Sequence, residues 1–198
     1  GATFRVLTGA HLASIALGRA AGAPVLLLAG VTVDPAGDPG PCGLGATTPT
    51  AFVARAPLEH GATDVAAPTP IPCDGFPLKL ALGKDTKAPS LKIAASTRGR
   101  ACWAFLGSDD GTDQRRLQTG CFDLETATFS WQRQAVLGDH DGDPVDLALD
   151  PFGHVLVTAV VRRSSALPLW DGTSGEPSAS DAPNLMVRKR DADTGKAT

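Results

Sequence analysis

The chain has 198 residues, 42% of them hydrophobic and 20% charged, a composition that suits a folded domain with a sizeable core and excludes disorder as a whole. Its net charge of −3 comes from scattered residues with no basic face, which excludes nucleic acid as a partner. The longest apolar run, 23–33, is broken by Pro24 and Gly30 and is too short for membrane insertion.

The 22 Gly and 16 Pro interrupt nearly every stretch at intervals shorter than a helix needs, so short strands joined by turns are expected. Residues 1–7, Gly-Ala-Thr-Phe-Arg-Val-Leu, match 126–132, Thr-Ala-Thr-Phe-Ser-Trp-Gln, and read as an outer strand. With neither an initiator Met nor a signal segment at Gly1, the chain reads as part of a longer protein. Three cores then recur at a spacing near 65 residues: Ser-Ile-Ala-Leu-Gly at 14–18, Lys-Leu-Ala-Leu-Gly at 79–83 and Asp-Leu-Ala-Leu-Asp at 146–150. Each is followed by a turn and an apolar strand, at 25–30, 91–95 and 155–161, and each unit has a third strand, at 51–55, 121–124 and 185–189. A fourth strand is plainest at 129–134, with Trp131 as its anchor.

Repetition of a unit built only of short strands points to an all-β, propeller-like array of four-stranded antiparallel blades. The boundaries read 1–9 for the outer strand of a preceding or closing blade, 10–76, 77–143 and 144–198, the last blade lacking its outer strand. About three blades fall short of the four that a propeller usually needs, so the array reads as part of a larger ring with other blades or chains as partners. A β-sandwich is the alternative architecture. Asp150-Pro151-Phe152-Gly153 has the residue order of a type I turn, with His154 capping it, and Asp193-Thr194-Gly195 reverses the chain between third and fourth strands. No second Asp-Thr-Gly faces it, as an aspartic protease would require.

Cys42, Cys73, Cys102 and Cys121 lie too far apart for a zinc site and suit disulfides between Cys42 and Cys73 and between Cys102 and Cys121, each closing a loop within one unit. Oxidised pairs imply an extracytoplasmic location, and four free thiols in a cytosolic protein are the alternative.

The third unit, Gly-Asp-Pro-Val-Asp-Leu-Ala-Leu-Asp-Pro-Phe-Gly-His-Val-Leu-Val-Thr-Ala at 142–159 and Asn-Leu-Met-Val-Arg-Lys-Arg-Asp-Ala-Asp-Thr-Gly at 184–195, resembles the bacterial β-propeller repeat of the SBBP type. His154, Leu156 and Ala159 stand where that pattern has Asn, Tyr and Gly, and the first two units follow it more loosely. The resemblance implies scaffolding or binding modules of secreted and cell-surface proteins, without a shared catalytic motif.

Long insertions between second and third strands, at 32–50, 97–119 and 162–183, are expected on one face, where Trp103, Phe105, Arg115, Arg116 and Trp170 are candidate contacts for a protein or glycan. Folding back of Trp103 and Trp170 onto the blade edges is the plainer reading. Asp139, Asp141 and Asp143 alternate around Gly142 as carboxylates do in a calcium loop, though the bidentate Glu and flanking helices of an EF-hand are missing. Calcium is the one cofactor suggested; a solvated turn explains the same residues.

His11, His60, His140 and His154 accompany no nucleophile elbow, P-loop or dinucleotide fingerprint, so a non-catalytic module is expected. The alternative is part of a propeller lyase or hydrolase, with Ser14, Lys79 or Asp146 projecting into a central channel.

Overall fold

The computed structural model describes residues 10–32, 51–58, 69–70, 90–108, 115–137, 145–161 and 184–198. Among these residues the chain is all-β and contains no helix, hence none long and apolar enough to cross a membrane. A first sheet holds β1 (Ala10–Ala20), β2 (Ala23–Thr32), β3 (Ala51–Pro57) and β4 (Thr69–Pro70). The middle sheet holds β5 (Ser90–Ala95), β6 (Arg100–Ser108), β7 (Arg115–Asp123) and β8 (Phe129–Leu137). The third holds β9 (Asp146–Leu149), β10 (His154–Val161) and β11 (Asn184–Asp191). Every pairing is antiparallel between sequence neighbours, so each sheet is a meander, and none closes on itself.

The sheets form layers because their strands alternate. Ala101, Trp103 and Phe105 on β6 join Phe122 in one core with Val25, Leu27, Ala29 and Val53 of the first sheet. Their neighbours Cys102, Ala104 and Leu106 point the other way, into a second core with Val155, Val157, Ala159 and Met186 of the third. A strand covered on both faces carries an unbroken apolar run, and 101–107 is buried throughout. Trp103 fits because its cross-strand partner is Gly120, where a Cβ would lie 3.1 Å from the indole and 2.8 Å from the Trp131 carbonyl. First strands are neighbours from sheet to sheet, β1 against β5 and β5 against β9. The Ile93 N–H donates to Ser14 Oγ at 3.2 Å across the first of these contacts.

The expected order of the second unit is corrected here. Residues 91–95, expected as a second strand, form the first strand β5, and the expected insertion 97–119 contains β6 and the first part of β7, which runs on into the expected third strand at 121–124. The misreading has a physical cause. Ser96-Thr97-Arg98-Gly99 is a tight hairpin turn, with Gly99 in the left-handed region at φ +78°, and the apolar run after it lacks alternation because both faces are buried. Residues 79–83 lie outside the described residues, as do the expected insertion at 162–183 and, apart from Thr32 at the end of β2, the one at 32–50.

Cys102 and Cys121 are directly opposed on β6 and β7 and form the expected disulfide; Cys42 and Cys73 lie outside the described residues. Closing a loop with a sequence separation of 19 restricts the unfolded chain. Replacing both Cys102 and Cys121 by Ser is expected to remove about 3 kcal/mol from the free energy of unfolding. Urea titration followed by circular dichroism checks it, with oxidised and reduced protein compared.

Candidate functional site

In a meander the turns from first to second and from third to fourth strand share one end of the sheet. At this end the turns repeat in detail. Asp123 and Asp191 each end a third strand, and one carboxylate oxygen of each closes the turn. Asp123 Oδ1 accepts from the Glu125 and Thr126 N–H groups at 2.9 and 2.8 Å and from the Thr126 hydroxyl at 3.2 Å. Asp191 Oδ1 accepts from the Asp193 and Thr194 N–H groups at 3.1 and 2.7 Å and from the Thr194 hydroxyl at 2.8 Å. Ala127 and Gly195 occupy the matching left-handed position, at φ 55° and 68°. The first hairpin turns match as well. Ser96 Oγ accepts from the Arg98 and Arg100 N–H groups, and Asp150 Oδ1 accepts from the Phe152 and His154 N–H groups. His154, expected to cap its turn, does so through Nδ1, 2.8 Å from Asp150 Oδ2.

Two contacts join this end of the middle and third sheets. Arg100 pairs with Asp123 of its own sheet through Nη1 and with Asp193 of the third through Nε. Trp131 Nε1 donates to the Ala192 carbonyl at 2.9 Å, in a buried contact that holds Gly195 against the indole. A cleft of about 590 Å³ remains between the sheets, lined by Arg98, Arg100, Asp150, Phe152, Asp191 and Asp193 among others. Phe152 is 78% exposed. The Arg98 side chain is engaged by none of the described residues, whereas the lining carboxylates are held by their turns or by Arg100. The groups available to a ligand are therefore a guanidinium and an aromatic ring on a rigid rim, a pairing that takes an anionic group beside an apolar or ring-shaped one.

Among the described residues the expected contacts do not form a loop rim. Trp103 and Phe105 are both 1% exposed and lie in β6, so they are core residues and not loop contacts, a correction that follows from the middle sheet being covered on both faces. Arg115 and Arg116 open β7 at the end opposite the 96–99 turn, paired with Ser108 and Gly107. Trp170, Asp139, Asp141 and Asp143 lie outside the described residues. Among the described residues no group of three or more His, Cys, Asp or Glu could hold a metal ion. Phe152 and Arg98, which line the cleft, were not among the expected contacts. The signal for Phe152 was available, since an aromatic ring inside Asp-Pro-Phe-Gly is placed on a surface turn.

Comparison of the chain with protein-family models, with curated proteins and with solved structures finds no match in any of the three.

The hydrogen bonds to Thr126 hold the Asp123 carboxyl below the usual aspartate range, and those to Thr194 do the same for Asp191. Partial withdrawal from water pushes Asp150 up, but the hydrogen bonds from His154 and Phe152 outweigh it and the carboxyl titrates low. Such groups add stability that is fully present above the unfolded-state value of about 3.9 and is lost as pH falls below it through the lower folded values. The thermal midpoint is expected to drop on acidification below about pH 4, and to drop less steeply in an Asp123→Ala, Asp191→Ala variant of lower midpoint at neutral pH. Melting curves across that range decide it; equal slopes would remove the role assigned to the two turns.

Proposed function

We propose that this chain is a non-catalytic, propeller-type module that works outside the cytoplasm as a rigid scaffold and binding platform. The observation that carries the reading is the stack itself: meandering sheets laid face to face with their first strands side by side, stapled in the middle by a disulfide. Oxidised cysteines favour an extracytoplasmic compartment, and the blade-like order agrees with the SBBP-type resemblance of the third unit.

The non-catalytic part rests on how the polar groups are used. Asp150 and His154 hold a hairpin turn, the Thr194 hydroxyl donates to Asp191, and Ser96 Oγ receives backbone N–H groups. Of the residues an enzyme would project into a channel, Ser14 is occupied by the Ile93 N–H, and Asp146 Oδ1 accepts from the Leu147 N–H at 2.9 Å. These groups shape loops and junctions, and among the described residues they leave no nucleophile beside a base.

The ligand class the cleft suits is a peptide or glycan carrying a carboxylate or sulfate next to an apolar or pyranose face, with Arg98 taking the charge and Phe152 the face. Arrays of acidic glycans and peptides are expected to give binding that weakens about tenfold or more in Arg98→Glu and Phe152→Ser, each with an unchanged melting temperature. Binding untouched by both substitutions would move the site elsewhere, and turnover of any array member would defeat the non-catalytic reading.

A further inference from the structure

The Cys102–Cys121 disulfide lies on one face of the middle sheet only. Side chains alternate along β6, so Ala101 and Trp103 face the first sheet while Cys102 faces the third, and Cys121 stands opposite it on β7 with the same orientation. Both cysteines are 0% exposed, in a core shared with Val155, Val157, Ala159 and Met186 of the third sheet. Trp131, the cross-strand partner of Cys121, belongs to the same layer and donates to the Ala192 carbonyl. Among the described residues, then, the cover over the bond is the third sheet and not the first.

That placement decides how the bond reacts. Thiol–disulfide exchange needs a thiolate to reach one of the two sulfurs, and the closed molecule offers it no approach. Two openings give access. Separating β6 from β7 breaks their ladder from Arg100–Asp123 to Ser108–Arg115 and disturbs both cores. Lifting the third sheet uncovers one core, and the described polar contacts it breaks are the Trp131–Ala192 hydrogen bond and the Arg100–Asp193 ion pair. The second opening is the smaller, and partial openings of low cost precede global unfolding. The junction also feels the state of the bond. Two thiols take more room than a disulfide, because sulfurs no longer bonded stand at van der Waals contact, and a densely packed layer resists added volume. That volume falls on the third-sheet side, while the Trp103 side keeps its packing.

We infer that the third sheet is a lid over the Cys102–Cys121 disulfide: the bond is reduced through a form in which this sheet has lifted, and its reduction in turn loosens the lid. A dithiol carries this out in two exchanges. Its thiolate bonds to one cysteine sulfur, and the other leaves as a thiolate that takes up a proton. The second sulfur of the dithiol, deprotonated, then displaces the bound cysteine, leaving two cysteine thiols and a cyclic oxidised dithiol. The turn-end cleft, whose walls belong to the middle and third sheets, opens with the lid. The inference is independent of the ligand assigned to the cleft.

The test is the rate of reduction by excess dithiothreitol, read from the masses of the alkylated peptides that hold Cys102 and Cys121. Wild type is compared with Val157→Ala and Val53→Ala, which make the same truncation in the third-sheet and first-sheet cores, at residues 1% and 2% exposed. Val157→Ala is expected to speed reduction about tenfold or more, and Val53→Ala less than about twofold. Equal acceleration by both, or by neither, would overturn the lid, because reduction would then follow global unfolding or separation of β6 from β7. Wild type alone gives a second reading. Its reduction rate should rise with urea less steeply than the global unfolding constant, since a lifted sheet exposes only part of the surface that unfolding exposes; the full slope would overturn the proposal. For the return coupling, the Trp131 indole N–H crosses the lid junction and the Ile93 N–H crosses the first. On reduction, deuterium exchange should quicken about tenfold at Trp131 and stay unchanged at Ile93. Quickening at neither, or equally at both, would show that reduction does not loosen the lid.

Discussion

The structure depends on one strand being covered on both sides. Along β6, successive side chains alternate between two cores, and neither neighbouring sheet has another described sheet to pack on. Side-chain volume is matched locally to allow it: Trp103 lies over Gly120 on one side, while on the other the small Cys102, Ala104 and Cys121 stand beside Trp131. Interiors are packed as densely as organic crystals, so a bulky residue on the small side or a side chain at Gly120 would force the sheets apart instead of filling space.

The polar groups serve the same layering. Four turns on one end use Asp or Ser side chains to satisfy backbone N–H groups that a tight reversal leaves unpaired. Arg100 then links the middle sheet's turn acid to the third sheet's turn. With Asp193 62% exposed, that ion pair contributes little stability and mainly sets the registration of the two sheets. The buried Trp131 to Ala192 hydrogen bond carries more of that registration, because water cannot replace it.

Much of this was legible in the sequence and some was not. The all-β class followed from turn residues and short apolar runs, and β1, β2, β3, β8, β10 and β11 stand where their apolar patterns put them, most of them longer than expected. The pairing of Cys102 with Cys121 followed from unit boundaries. The second unit was misread because the repeated Leu-Ala-Leu at 80–82 is a stronger string match than Leu-Lys-Ile-Ala-Ala at 91–95, which forms β5. What identifies it is the chemistry around it: Ser96 and Gly99 on one turn stand where Asp150 and Gly153 stand on the other. The turn-end cleft was not legible, because it is assembled from three turns, at 95–100, 149–153 and 191–193, whose separate sequences say only that each reverses the chain.

The disulfide lies within the middle sheet and does not tie it to either neighbour. Under a pulling force this gives the molecule graded mechanics. The first and third sheets peel from the stack by breaking non-covalent contacts, the Arg100–Asp193 ion pair among them, while the chain between Cys102 and Cys121 stays locked. Because residues with a sequence separation of 19 cannot extend until the bond is reduced, about 65 Å of contour length is withheld in the oxidised protein. Under tension the molecule would keep the centre of the stack stapled while the flanking sheets yield and repack.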